Sequence, residues 1–294
     1  MNLLEKMDKI EELGFEKMRL PDPCYTPTIR VMTSNALHTG DGKSRKERDA
    51  GNVFQKRMDT LAAVYLSFMP DFLGVQELSY TMMPELMARI GSVYAIPETQ
   101  MGDVETYEYH GYFHQPNHFP VLYNKYKYDV LESRFHRSAK GGIWGYHWAL
   151  YRSKDDPSHR FIHMNLHFFY QADERQLPGV EDVHYELIHL RRMYPNVPIF
   201  VTGDYNMLHT GEYYKYLFDG LSMESGMLVA EKSDGVMCWN HALNSTECPK
   251  KMTAIDHASV TTDLCDVKLH RILLDEELAK TSDHCPMFID VKEK

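Results

Sequence analysis

Residues 197–206 read VPIFVTGDYN, an apolar run followed by a glycine and then by two polar side chains. The part from Val197 to Val201 is typical of a short buried strand, and Gly203 marks the point where that strand meets a loop. Asp204 and Asn206 are therefore predicted to emerge at the end of the strand. Polar groups at strand ends can converge on one site in a way that groups in the middle of a strand cannot.

A second stretch near the C-terminus has the same elements in the opposite order. Residues 282–291 read SDHCPMFIDV, so Asp283 and His284 stand directly before the strand-like run from Pro286 to Val291. A carboxylate and an imidazole at the beginning of one strand can reach polar groups at the end of another. The two stretches together predict a site built by side chains that are distant in sequence.

The first part of the chain contains a strand–helix–strand unit. A strand is predicted from Ile29 to Thr33 and is followed by Asn35, and apolar residues then recur at helical spacing between residues 54 and 68. The next strand, Phe72 to Gln76, ends at Glu77. Such a unit normally has neighbouring or near-neighbouring strands with the helix packed outside them.

Later segments continue the mixture of strands and helices. Strands are predicted at residues 121–123, 146–151, 161–168 and 256–261, and a helix that follows Pro178 and Gly179 is predicted up to Tyr194. No repeat, low-complexity stretch or linker divides the chain. We therefore expect one α/β (α+β) domain over residues 28–294, with packed sheet layers and helices outside them, preceded by a helical extension over residues 1–27.

The composition favours a globular protein with an acidic surface. Hydrophobic residues make up 43% of the chain, which is long enough to bury a substantial core. The 32 basic and 42 acidic residues give a net charge of −10. An acidic surface repels a phosphate backbone, so nucleic acid is a possible but disfavoured partner.

Cysteine usage and hydropathy both favour the cytoplasm. The five cysteines are odd in number and none has the spacing of a zinc site, so reduced thiols are expected. The N-terminal residues interleave charged with apolar side chains, unlike a secretory signal, and no run of about 20 apolar residues could span a membrane. We expect a cytoplasmic protein without a transmembrane segment, and its oligomeric state stays open.

The predicted strand ends collect carboxylates, amides and imidazoles. They are Asn35, Glu77, Asn165, His167, Asp204, Asn206, Asp256, Asp283 and His284. Oxygen ligands with few thiolates suit a hard divalent cation, Mg²⁺ or Mn²⁺, better than zinc. Hydrolysis of a phosphate ester requires such a cation, a carboxylate that orients water, and donors for the phosphoryl oxygens. The GxSxG, GxxxxGK[ST] and HExxH motifs of competing classes are absent.

Six segments resemble, in order, those of the endonuclease/exonuclease/phosphatase superfamily, which includes DNase I, apurinic endonucleases, inositol polyphosphate 5-phosphatases and neutral sphingomyelinases. They are MTSNAL (32–37), DFLGVQEL (71–78), HMNLHF (163–168), IFVTGDYNM (199–207), AIDHASV (254–260) and SDHCPMFIDV (282–291). The resemblance spans residues 29–291. It implies a four-layer sandwich, in which two packed, mainly antiparallel β-sheets are flanked by helices.

The resemblance also implies roles for individual residues. Glu77 would be the principal ligand of Mg²⁺ or Mn²⁺, helped by Asn35 and Asp283. Asp204 would hold or activate the attacking water, and Asn206 would fix its geometry and touch the phosphate.

The remaining catalytic roles implied by the resemblance fall to histidines. His284, hydrogen-bonded to Asp256, would stabilise charge on the phosphoryl group, because the carboxylate orients the imidazole and favours its protonated form. His167 would contact the phosphate from the opposite wall. The sequence departs from the common pattern at His257, where an aromatic often follows the aspartate, and at Tyr205, where phenylalanine is frequent.

These residue assignments have simpler alternatives. Asn35 could be an ordinary turn residue, Glu77 could cap a helix, Asp204 could be a turn carboxylate, and Asp256 could be a strand-end cap. The expected activity is metal-dependent hydrolysis of a small-molecule or lipid-headgroup phosphate ester. A nuclease of the same superfamily and a catalytically silent binding member are the alternatives.

Overall fold

Two β-sheets carry most of the part of the chain that the structure describes. The structure is a computed structural model, and it describes residues 29–38, 54–79, 82–98, 107–109, 112–114, 117–137, 144–170, 174–235, 245–247 and 254–294. The helical extension expected over residues 1–27 lies outside these ranges, so the division of the chain at residue 28 stays a prediction.

The chain contains single strands between helices and also long runs of consecutive strands. The strands are β1 (Ile29–Asn35), β2 (Phe72–Gln76), β3 (Leu78–Ser79), β4 (Tyr94–Ala95), β5 (Tyr107–Tyr109), β6 (Tyr112–His114), β7 (Asn117–His118), β8 (Val121–Asn124), β9 (Tyr128–Arg137), β10 (Gly145–Ser153), β11 (Arg160–His167), β12 (Ile199–Asp204), β13 (Met223–Ser225), β14 (Lys232–Gly235), β15 (Asp256–Thr261), β16 (Cys265–Ile272) and β17 (Met287–Glu293). The helices are α1 (Phe54–Phe68), α2 (Met82–Ile90), α3 (Leu177–Met193), α4 (Glu212–Leu217) and α5 (Gly226–Val229).

Sheet 1 has seven strands in the order β14-β16-β17-β1-β2-β8-β4. Strand β1 is parallel to β2 and antiparallel to β17, and Asn35 is the register partner of Gln76. Because Glu77 follows Gln76 directly, the carboxyl ends of β1 and β2 bring Asn35 and Glu77 to the same edge of sheet 1. The predicted strand–helix–strand unit is therefore confirmed, with α1 as the connection between its two strands.

Sheet 2 has six strands in the order β13-β15-β12-β11-β10-β9. Strand β12 is parallel to β11 and antiparallel to β15. In this register Asp204 is the partner of both His167 and Asp256, so the three side chains form a row across three adjacent strands. Most strand pairs in both sheets are antiparallel, as predicted.

The apolar side chains divide into three layers of contacts. Val31, Phe72, Phe200 and Ile289 belong to the core between the two sheets. A second cluster joins the outer face of sheet 1 to α1 and α2, and a third joins the outer face of sheet 2 to α3 and α4. The described chain is thus a helix–sheet–sheet–helix sandwich, which confirms the predicted four-layer fold.

The two sheets approach each other closely at Gly74 of β2. A Cβ atom on Gly74 would lie 2.1 Å from Thr202 Oγ1 and 2.3 Å from Asn165 Oδ1, so only glycine fits between them. Here polar side chains replace the apolar core. Gln76 Nε2 donates to Asn165 Oδ1 at 2.6 Å and to Thr33 Oγ1 at 3.0 Å, and Thr202 Oγ1 donates to Asn165 Oδ1 at 3.0 Å.

Two element boundaries differ from the sequence prediction. The helix expected to follow Pro178 and Gly179 begins at Leu177, so both residues lie in its first turn. Proline is tolerated there because a first-turn N–H has no partner within the helix. The strand expected to stop at Gly203 continues through Asp204, since Asp204 still pairs with strands on both sides.

Two buried histidines of sheet 2 make stability sensitive to acid. Burial lowers the pKa values of His147 and His163 to about 3 each. Between about pH 6.5 and pH 3 the unfolded chain binds protons that the folded chain does not, so stability falls as the pH falls. For one such histidine the loss between pH 8 and pH 5 is about 2 kcal/mol.

Replacing His163 should therefore reduce the acid sensitivity. In a His163→Gln variant, we expect the drop in unfolding free energy between pH 8 and pH 5 to shrink by about 2 kcal/mol. Denaturant unfolding at the two pH values measures this drop. The same substitution at the exposed His189 is the control and should leave the drop unchanged. An equal pH dependence in all three proteins would contradict the prediction.

Candidate active site

One wall of the site is the row of side chains at the end of sheet 2. His167 Nε2 lies 3.7 Å from Asp204 Oδ2, and Asp204 lies between His167 and Asp256 in the strand register. All three residues are buried. Asn206 is hydrogen-bonded to Asp204 and to Phe168. Its backbone N–H donates to Asp204 Oδ1 at 2.9 Å, and its side-chain amide donates to the carbonyl of Phe168 at 3.0 Å.

The other wall comes from sheet 1. Asn35 Nδ2 donates to Asp204 Oδ2 at 3.0 Å and lies 3.3 Å from Glu77 Oε1, so this amide bridges carboxylates from the two sheets. Glu77 Oε2 accepts a hydrogen bond from the backbone N–H of His38 at 3.0 Å, and His38 Nε2 lies 3.6 Å from the same oxygen. Asn35 and Glu77 thus do more than terminate a turn or cap a helix.

His284 closes the site from the loop before β17. Its Nδ1 atom lies 2.7 Å from Asp256 Oδ2, and its Nε2 atom lies 3.8 Å from Asp204 Oδ2. Burial lowers the pKa of the imidazole, but the carboxylates of Asp256 and Asp204 raise it by more, so the net pKa is well above the usual value. The protonated form of His284 is therefore favoured more than in an ordinary histidine.

Burial of neighbouring carboxylates raises the pKa values of the two aspartates in the site. Burial raises the pKa of Asp204 to about 8, and the negative charges of Asp256 and Glu77 add to the shift while His284 opposes it. Burial also raises the pKa of Asp256, against the effect of His284. Buried carboxylates in such number ionise together only if a positive charge joins them.

The donor set fits a divalent cation. Glu77, His167 and Asp204 offer one ligand atom each within 4.8 Å of one another, and so do Asp204, Asp256 and His284. Carboxylate oxygens supported by an amide and imidazoles are ligands for a hard or borderline divalent ion. Asp204 belongs to both groups.

The predicted ligand Asp283 belongs to neither of these groups among the residues that the structure describes. It is half-buried beside His284, and its charge contributes to raising the pKa values of Asp256 and His284. Its role as a metal ligand stays a prediction. The other residues predicted for the site, namely Asn35, Glu77, His167, Asp204, Asn206, Asp256 and His284, lie together.

Three non-glycine residues around the site have left-handed backbones. Leu37, Glu77 and Asn206 have φ values of 55°, 55° and 51°. Such a conformation costs about 1–3 kcal/mol and persists only where the surrounding structure enforces it. Two of them are held by adjacent site residues, since Leu37 donates to Asn35 Oδ1 at 2.9 Å and Asn206 donates to Asp204 Oδ1.

Asn165 lies deeper than the strand-end position that the sequence predicts for it. Its Nδ2 donates to the carbonyls of Val75 and Pro120 at 3.0 Å each, below the site and between the sheets. The alternation of side chains along a strand gives the face of a residue but not its depth in the sheet. His163, on the same face of β11 as Asn165, is buried, and its Nε2 lies 2.8 Å from Thr202 Oγ1.

The two departures from the superfamily pattern contact each other. The rings of Tyr205 and His257 have centroids 4.9 Å apart, and Tyr214 packs 5.2 Å from His257. His257 Nδ1 lies 3.2 Å from Ser225 Oγ, and Nε2 lies 3.2 Å from the carbonyl of Met207. His257 therefore packs in the outer layer of sheet 2, while its neighbour Asp256 lies in the site.

An aromatic cluster lies next to the His167 side of the site. It consists of Trp144, Phe169 and Tyr170, with centroids 4.4 Å apart for the first pair and 4.8 Å for the second. The Arg175 guanidinium lies 4.6 Å from the Phe169 ring. Tyr170 is 49% exposed, and it follows His167 by three residues. Sequence patterns did not reveal this cluster, because its members meet only through folding.

Comparisons with known proteins agree with the fold. No protein-family profile and no curated protein matches the sequence. Among solved structures, the chain is similar to an endonuclease/exonuclease/phosphatase from Bacteroides vulgatus, at 21% identity over 90% of this chain and 99% of the other, with a TM-score of 0.72.

Two further solved structures have the same architecture. A mannosyl-6-phosphatase of Bacteroides thetaiotaomicron is 17% identical over 90% of this chain and 100% of its own, with a TM-score of 0.73. The catalytic domain of human Nocturnin, solved with a sulfate anion, is 18% identical over 91% and 94%, with a TM-score of 0.64. The chain has the fold of the endonuclease/exonuclease/phosphatase superfamily, which confirms the fold that the six motifs predicted.

No helix among the described residues combines the length and the apolar character needed to cross a membrane.

The Asp256–His284 pair generates a prediction for the metal-free protein. In an Asp256→Asn variant the largest charge that holds the His284 proton is lost, so the pKa of His284 should fall towards or below its ordinary value of about 6.5. A histidine-detected NMR titration measures this pKa. Asp182→Asn, which alters another aspartate near a histidine (His136, 3.3 Å), should leave the His284 titration unchanged. An unshifted His284 in the Asp256 variant would contradict the prediction.

Proposed function

We propose that the protein is a divalent-metal-dependent hydrolase of phosphate esters. The observation that carries the proposal is the convergence of Glu77, His167, Asp204, Asp256 and His284, from five separate chain segments, on one edge of the sandwich. Neither a turn role nor a capping role for any one of them accounts for that convergence. Similar solved structures that include a phosphatase support the same class of reaction.

The two groups around Asp204 suggest a division of labour. Glu77, with Asn35 and Asp204 beside it, would hold the cation, with Asp283 as a further predicted ligand. A bound Mg²⁺ or Mn²⁺ would neutralise charge on the phosphoryl oxygens and favour attack by water. Asp204 would then orient that water, because two of its hydrogen bonds come from Asn35 and from the Asn206 backbone and fix its plane.

His284 would serve the phosphate. Its Nδ1–H is directed at Asp256, so Nε2 carries the second proton of the imidazolium and can donate it to a phosphoryl oxygen. Asn206 and His167 would complete the donors around that phosphate. Asp204 would accept a proton from the water that it orients.

Variants of the two central residues test the proposal. Asp204→Ala and His284→Ala should each lower metal-dependent release of p-nitrophenol from bis-p-nitrophenyl phosphate by about 10²-fold or more. Asp129→Ala on β9 and His189→Ala on α3, which change the same residue types outside the site, are the controls. EDTA should abolish the activity, and Mg²⁺ or Mn²⁺ should restore it. Equal turnover by the site variants would refute this site, and an inactive wild-type protein would favour a silent binding member.

The proposed substrate is a small-molecule or lipid-headgroup phosphate ester. A net charge of −10 opposes binding of a polyanion. The half-exposed ring of Tyr170, three residues after His167, could stack against a ring in the organic part of a substrate. A panel of mannose 6-phosphate, nucleotides, inositol phosphates, sphingomyelin, plasmid DNA and RNA, with each cation, distinguishes this class from a nuclease.

The aromatic cluster generates a separate prediction. Tyr170→Ala should raise the KM for a ring-bearing substrate about 10-fold, because stacking on an aromatic is worth about 1–3 kcal/mol, and should leave glycerol phosphate turnover unchanged. Tyr126→Ala is the matched control, since Tyr126 is 68% exposed on the turn between β8 and β9. If both variants behaved alike on both substrates, Tyr170 would have no part in binding.

A further inference from the structure

A buried arginine joins two loops of the site. Arg57 lies on α1, is 2% exposed, and donates from one terminal nitrogen to the carbonyls of Ala36 and Leu37, both at 2.7 Å, and of Thr281 at 2.9 Å. The first two carbonyls follow Asn35 directly, and the third precedes His284 by three residues. One guanidinium therefore connects the loop after β1 to the loop before β17.

A buried glutamine connects the loop after β11 to the loop after β12. Gln176, immediately before α3, is 1% exposed, and its Nε2 donates to the carbonyls of Phe169 at 2.9 Å and Tyr205 at 3.0 Å. A third carbonyl, that of Asn206, lies 3.4 Å away. These carbonyls belong to the loops that follow His167 and Asp204.

Both side chains attach where the backbone is strained. Leu37 and Asn206 have φ values of 55° and 51°, a region that non-glycine residues rarely adopt. A strained conformation persists only where several contacts enforce it. Arg57 binds the carbonyl of Leu37 itself, and Gln176 binds the carbonyl that precedes Asn206.

Burying a guanidinium also costs more than burying an aliphatic side chain. The outer face of sheet 1 packs on α1 through apolar residues such as Met58, Leu61 and Tyr65, so packing alone would favour a similar residue at position 57. Buried polar groups often cost stability relative to apolar ones of the same shape. The arginine is therefore better explained by what it fixes than by a gain in stability.

We propose that Arg57 and Gln176 are positioning residues for the site. Arg57 holds Asn35 in place relative to His284, and Gln176 holds His167 in place relative to Asp204 and Asn206. Neither side chain touches the substrate. The inference rests on the proposed hydrolase function and extends it, since it assigns the alignment of the reacting groups to one side chain on α1 and one directly before α3.

Kinetics give the first test. With bis-p-nitrophenyl phosphate and Mn²⁺, Arg57→Met should lower kcat about 100-fold with KM changed less than threefold, because a misplacement of about 1 Å can cost that much in rate. Arg57→Lys keeps a charged donor and should recover part of the loss. Gln176→Met should lower kcat at least about 10-fold, again with little change in KM.

Arg89→Met is the matched control. Arg89 lies on α2 and binds Asp59 of α1 at 2.7 Å and Glu85 at 2.8 Å. Its loss should lower the melting temperature and leave kcat per folded molecule within twofold. A kcat loss in the Arg57 and Gln176 variants no larger than in Arg89→Met would overturn the proposal. So would a change confined to KM.

Hydrogen exchange gives a readout that needs no activity. Arg57→Met, or Arg57→Lys if the first variant does not fold, should speed exchange at Leu37, His38 and His284 while Tyr205 and Asn206 stay protected. Gln176→Met should do the reverse. Unchanged exchange in both loop pairs would overturn the positioning role, whatever the activity. Inactive wild-type protein with loop-specific exchange would instead refute the hydrolase function and leave the positioning contacts in place.

Discussion

A buried hydrogen-bonded layer between the two sheets fixes the geometry on which the site depends. The amide of Gln76 binds the amide of Asn165 across the sheets, and Thr33 and Thr202 bind into the same network. Thr33, Asn165 and Thr202 stand two positions before Asn35, His167 and Asp204 on their own strands. Gln76, the last residue of β2, stands directly before Glu77. Side chains two apart on a strand share a face, so this layer lies directly beneath the site.

Hydrogen bonds suit this position better than apolar packing. Apolar contacts are not directional, and two sheets joined by them alone could shift by fractions of an ångström at little cost. The amide of Asn165 instead donates to two backbone carbonyls and accepts from two side chains, so its orientation is fully determined. Gly74 allows the sheets to approach closely enough for these bonds to form.

Much of the site could be predicted from sequence, for a physical reason. Most residues predicted for the site stand at strand ends, and strand ends are visible as apolar runs that stop at glycine or polar residues, as at Gly203 and Asp204. The order of six such segments then specifies the fold. The supporting side chains leave no such trace. In the sequence, Arg57 resembles any charged residue of an amphipathic helix, and Gln176 resembles a polar residue before a proline. Asn165 resembles another amide at a strand end. The role of each depends on contacts with backbone that is distant in sequence.

The start of α3 at Leu177 and the contact between Tyr205 and His257 could not be predicted from the sequence, because both depend on tertiary packing. A proline early in a segment is compatible with either the end of a loop or the first turn of a helix, and packing against sheet 2 decides between them. The two residues that depart from the superfamily pattern look independent in the sequence, but their rings are in contact.

The parallel pairs β1–β2 and β11–β12 relate the two halves of the sandwich. Each pair is connected through a helix, ends in two site residues, and receives a buried polar side chain from the connecting segment. The two halves face each other across the site, and each half contributes residues that could bind a metal ion. An ion bound there would link the two sheets. Its loss would weaken the contact between the sheets and leave the hydrogen bonds within each sheet unchanged.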